Sequence, residues 1–171
     1  MGLLPHWDYY ATLEADFVNT NRYVAVDAHN FKSYSNEFVR LLLAIGSEVD
    51  VVAKLMCQRI DPTRRVGNID DYRVVILPKF PGLPDTQLFM PKYEFVCRPW
   101  DDWGGGPPEN PRWWRAYNDV KHARNNHFVD AHLENVLEGL LGLYVMVGHL
   151  YGKQNLDHAP HGLVSWEQGG F

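Results

Sequence analysis

The stretch that most constrains how this chain can fold runs from Leu133 to Tyr151 and is apolar nearly all the way round a helix. Gly139, Gly142 and Gly148 let neighbouring backbone approach it closely. Asn135, Glu138 and His149 interrupt it and make it a poor membrane span. A helix without a polar side must run through the middle of a bundle or be shared with a second copy. The pattern therefore predicts a central helix from about His127 or Asp130 to Tyr151. A homodimer through this C-terminal helix is one way to cover it.

Two further helices read from periodicity. Residues 7–22 place Trp7, Tyr10, Leu13, Phe17 and Val18 at roughly helical spacing. Residues 34–59 carry Phe38, Leu41, Leu42, Ile45, Val49, Val52, Leu55 and Met56 on a wide apolar face. Ser33 or Ser35 is placed to cap this second helix, with Glu37 favouring its first turn. Tyr23 to Asp27, between the two, reads as a short strand or an extended link. Glu48 lies in the apolar row with Leu41, Ile45 and Val52, so its carboxylate needs a partner or a route to water. Lys121, His122 and Arg124 are the expected partners.

Residues 61–110 lose the helical period and fill with Pro, Gly and Asp. Tyr72–Leu77, Gln87–Met90 and Glu94–Cys97 read as short β runs, leading into a Trp- and Gly-rich loop at 99–108. With too little apolar material for a core of its own, this region is expected to be a β-containing insertion packed on the helices. The expected domain is single, spanning 1–171, with a terminal tail at 153–171. That tail holds His158 and His161, and a loose end is expected there rather than a metal site.

Composition narrows the class. The chain of 171 residues is 46% hydrophobic and 22% charged, an ordinary globular balance. Its net charge of −5 argues against a surface coated for nucleic acid, so any such ligand would need a local patch. Cys57 and Cys97 sit in apolar contexts and read as buried thiols of a reduced protein. The first residues lack the pattern of a signal peptide, and a cytoplasmic protein without a membrane anchor is expected.

The stretch Asn110 to Arg124 is where chemistry concentrates. Asn110 is placed to cap a helix and Pro111 to occupy its first position. Arg115, Asn118, His122 and Asn125 then share one face, beside a stripe of Trp114, Tyr117, Lys121 and Arg124. A helix built only for packing would carry aliphatic residues there.

Several chemistries are excluded by spacing. His122, His127 and His132 recur every five residues, which does not put them on one helical face, and no His-Glu-x-x-His occurs. Neither a Gly-x-Ser-x-Gly elbow nor a phosphate-cradling Gly-x-x-x-x-Gly-Lys is present. No metal and no cofactor are expected. Metal-free phosphodiester cleavage remains, which needs a proton carrier and a fixed cation. His122 suits the first role, and Arg115 or Arg124 the second. Asn118 would orient the phosphate, Lys121 would add charge, Trp114 and Tyr117 would stack a base, and Glu48 would support the set. A purely structural network of the same residues is the competing reading, and it requires His122 to be buried with both nitrogens engaged.

The pattern Trp113-Trp114-x-x-Tyr117-Asn118-x-x-Lys121-His122-x-Arg124, followed by a long apolar helix, resembles HEPN-type prokaryotic proteins. So does Tyr34-Ser35-x-x-Phe38-x-x-Leu41-Leu42 leading to Ser47-Glu48-x-Asp50. The resemblance covers about residues 20–58 and 99–152. It implies a bundle of about four helices, commonly dimeric. Ribonuclease members of that family, among toxins, phage-defence and RNA-processing proteins, use an Arg and a His four to six residues apart. Arg115 and His122, with six residues between them, match. An antitoxin partner is implied for toxin members, and binding of RNA or a nucleotide without cleavage for others. Arg115 and His122 lie about 10.5 Å apart along a straight helix, so they would have to converge on one phosphate.

Overall fold

A computed structural model describes residues 4–152 and the backbone of 165–166. His158 and His161 lie outside the described residues. The chain is mainly α-helical, in agreement with the periodicity, and has five α-helices among the described residues where about four were expected.

The central helix forms as its sequence requires. Here α5 spans Leu133–Tyr151, with Glu134 in its first turn and the His132 ring accepting a hydrogen bond from the Asn135 N–H. It ends at Gly152, whose φ of 83° suits glycine. It lies against α2 (Asn36–Ile60), α1 (Pro5–Thr20) and α4 (Arg112–His127) of the same chain. Its apolar circumference is thus covered without a second copy. No described helix is long and apolar enough to cross a membrane.

The other long helices follow their patterns closely. Ser35 caps α2 by accepting from the Phe38 N–H at 3.1 Å. Phe38, Leu41, Leu42, Ile45, Val49, Val52 and Met56 are buried along its inner face. In α1, Trp7, Tyr10, Leu13 and Phe17 are buried, with the Trp7 and Tyr10 rings against Tyr144 of α5. Tyr23 to Asp27 forms turns rather than a strand, and Tyr23 is 87% exposed.

The insertion departs from expectation at one element. Residues 72–76 of the run expected as a strand belong instead to α3, Ile69–Ile76, with Leu77 at its C-cap. Asn68 caps it by accepting from the Asp70 and Asp71 N–H groups, both acids sit in its first turn, and Ile69, Tyr72, Val75 and Ile76 turn one face inward. This capped, amphipathic turn pattern overrides the β preference of the Val-Val-Ile run. The other two expected β runs do form strands. Strands β1 (Leu88–Met90) and β2 (Phe95–Cys97) pair antiparallel with Leu88 opposite Cys97, and residues 165–166 pair with the other edge of β1. Trp100 and Trp103 of the following loop are buried, and the Trp100 indole N–H donates to the Gly142 carbonyl at 3.0 Å. That bond ties the insertion to the central helix.

Candidate functional site: the outer face of α4

α4 begins one residue later than expected. Pro111 occupies the cap position, and Asn110 faces α3 instead, accepting from Arg73 and donating to Asp70, each at 3.4 Å. The helix then divides its sides. Trp113, Trp114, Ala116, Tyr117 and Val120 are buried, whereas Arg115, Asn118, Asp119, Lys121 and His122 are exposed. Trp113 lies over Gly139 and Gly142 of α5, and the Tyr117 ring sits directly on Gly46 of α2.

The exposed side forms one wall of a cleft of about 510 Å³, facing Asp50 of α2 and residues 67–70 at the start of α3. Arg115, Asn118, Lys121 and His122 all reach it. Among the described residues, His122 makes no hydrogen bond or ion pair, and neither does Asn118. The Arg115 guanidinium touches only Glu109, at 3.5 Å and in the open. Lys121 lies over the Tyr117 ring, 5.6 Å from its centroid.

The opposite wall is acidic, but its charges are mostly engaged. Asp50 accepts from the Tyr72 hydroxyl at 2.7 Å and pairs with Lys54. Burial first, and then Asp50, raise the Tyr72 pKa well above that of a free tyrosine, which keeps the hydroxyl a donor. Asp70 accepts from Arg73 at 2.9 Å. On the α4 wall, Asp119 has no ion-pair or hydrogen-bond partner among the described residues and belongs, with His127 and Asp130, to a group of metal-ligating donors at the end of α4.

No family model, curated protein or solved structure matches the chain. The arrangement of the side chains is therefore what any functional reading must rest on.

Four expected residues take other places than the sequence implies. Arg124 follows a break in α4 at Ala123 (φ −144°, ψ 52°) and does not line the cleft. Trp114 and Tyr117 are 8% and 4% exposed and pack on each other with ring centroids 5.0 Å apart, so they floor the cleft with no open face for a base. Glu48 pairs with none of Lys121, His122 and Arg124; its Oε1 lies 2.6 Å from His6 Nδ1. The reason is angular. α4 crosses α2 at Gly46, and two residues further on the helix has turned roughly 200°, toward α1. Four residues on, Asp50 returns to the α4 side, and it is the acid that faces the cleft. Asn68, Asp70 and Asn110 also line it, although the sequence reading did not single them out as site residues. The Asn68-x-Asp-Asp capping signal was their one visible trace.

An imidazole with both nitrogens open can accept a proton at one and donate one from the other. A guanidinium and an ammonium on the same wall can hold an anionic oxygen. A phosphate ester is one ligand that such a set of groups can hold.

Proposed function

We propose that the α4 cleft binds RNA and cleaves it without a metal, as a HEPN-like endoribonuclease. The observation carrying this reading is that His122 is exposed and unengaged in a cleft it shares with Arg115, Asn118 and Lys121. The resemblance of the Trp113–Arg124 pattern to HEPN ribonucleases rests on the same residues and points the same way.

In this mechanism the neutral His122 imidazole accepts the proton of a ribose 2′-hydroxyl. The freed oxygen attacks phosphorus, and the bond to the 5′-oxygen of the next nucleotide breaks. That oxygen leaves with a proton returned by the imidazolium, giving a 2′,3′-cyclic phosphate and a 5′-hydroxyl. Arg115 and Lys121 offset the negative charge that grows on the phosphate oxygens, and Asn118 orients the ester. Asp50 and Asp70 are engaged elsewhere, and Arg115 exchanges its exposed contact with Glu109 for the phosphate.

The test is incubation of mixed RNA with the purified protein in excess chelator, beside His122→Ala. Cleavage by the parent and none by the variant, with cyclic phosphate ends, is the expected outcome. If neither cuts while both stay folded, the enzyme reading falls. Nucleotide binding without cleavage, or a structural role, then replaces it.

A further inference from the structure

Beyond the cleft, the break in α4 gathers three metal-ligating side chains. Asp119 and His127 are eight residues apart, which on a straight helix is about 12 Å along the axis. The non-helical turn at Ala123 and the 3₁₀ turn at Phe128–Asp130 fold the chain back. One donor atom each from Asp119, His127 and Asp130 then lies within 4.8 Å of the others. His127 Nδ1 is 2.8 Å from Asp130 Oδ2, and their side chains are 37% and 40% exposed, open to an entering ion. Among the described residues no Lys or Arg pairs with either aspartate, so the imidazole is the sole group between two carboxylates.

We propose that Asp119, His127 and Asp130 bind one divalent transition-metal cation, such as Mn²⁺ or Zn²⁺. The donor set is mixed, one imidazole nitrogen and two carboxylate oxygens. That suits these ions better than Mg²⁺ or Ca²⁺, which favour shells of oxygen alone. Donor atoms around such an ion sit roughly 3–4 Å apart, so small side-chain rotations close the set. The bound cation joins the helix before its break to the turn after it. It also neutralises Asp119, the cleft acid that has no partner of its own. This site stands whether or not the cleft cuts RNA.

The experiment strips the full chain with chelator, removes the chelator, and titrates Mn²⁺ while reading the free-ion paramagnetic resonance signal. Uptake of one equivalent, with a rise in melting temperature, is expected. His127→Gln and Asp119→Asn should each weaken uptake by about tenfold or more and abolish that rise. All three ligands are at least partly exposed, and circular dichroism checks that the variants stay folded. His29→Gln is the control, since His29 forms another exposed pair with Asp27 at 2.6 Å but has no third ligand gathered beside it among the described residues. It should bind as the parent does. Absence of saturable uptake by the parent would overturn the proposal. So would equal uptake by His127→Gln, which would assign the ion to other histidines.

Discussion

α5 and α4 lie side by side, yet the chain uses them differently. Sixteen of the nineteen residues of α5 are buried, against five of the sixteen in α4. α5 therefore serves packing along nearly its whole surface, and its polar exceptions, Asn135 and His149, turn their bonds back onto nearby backbone. α4 buries one stripe. Trp113 and Tyr117 fix that stripe to α5 and α2, Arg112 adds ion pairs to Glu134 and Glu138 of α5, and Asn118, Lys121 and His122 are left to the cleft. The contrast teaches that a few large aromatic anchors can hold a helix whose other side carries unengaged polar groups.

The comparison breaks most severely if the anchor goes. Trp113 is 1% exposed, meets α5 at two glycines, and donates its indole N–H to the Pro99 carbonyl at 2.8 Å. Trp113→Ala should cost about 3–5 kcal/mol, through the cavity and the orphaned carbonyl. Chemical denaturation with the midpoint followed by far-UV circular dichroism measures it. A loss below about 1 kcal/mol would mean that α4 is held elsewhere.

The opposite side of the same helix should respond in the opposite way. His122→Ala is expected to lower RNA cleavage by roughly 10²–10⁴-fold. Its unfolding free energy should stay within about 0.5 kcal/mol of the parent, because an exposed, unbonded ring supports no packing. A large drop in stability would show that His122 does structural work after all.

How far this division could be read beforehand differs by element. α1, α2 and α5 were legible because each repeats apolar residues at helical spacing over several turns. α3 was not: Tyr72-Arg-Val-Val-Ile-Leu77 is β-branched, and only the cap at Asn68 and burial of Tyr72 and Ile76 decide for helix. The polar wall of Arg115, Asn118 and His122 followed from their three- and four-residue spacing. The roles of Trp114 and Tyr117 did not, since a helical wheel shows which residues share a stripe but not which stripe meets a neighbour. Glu48 and Asp50 make the same point. Only the crossing of α4 at Gly46 selects the acid that faces the cleft.

That crossing can itself be tested. A Cβ at residue 46 would lie 2.3 Å from two atoms of the Tyr117 ring. Gly46→Ala must therefore push α4 away from α2, at an expected cost of about 1–3 kcal/mol despite the better helix propensity of alanine. Because Tyr117 floors the cleft, cleavage should fall as well. A variant as stable as the parent would show that the two helices meet more loosely than described.

The smallest effect is a pH dependence carried by α5. His149 is 9% exposed, donates Nδ1–H to the Val145 carbonyl at 2.8 Å, and meets the Phe80 ring edge-on with centroids 5.0 Å apart. Burial lowers its pKa from the ordinary 6.5, and His132 at the start of the helix is lowered by burial too. Both rings are thus favoured neutral in the native chain. As pH falls through 6.5 the unfolded chain takes up protons that the native chain does not, so stability declines until the lowered native values are reached. Above pH 6.5 the two states bind the same protons at these sites and the contribution is flat. Arg59 and Lys79 share the cavity beside His149. Denaturation midpoints measured from pH 7.5 down to pH 5 should therefore fall for the parent and fall less steeply for His149→Gln. Parallel profiles would place the native pKa of this ring with that of the unfolded chain, and burial in α5 would then carry no pH dependence.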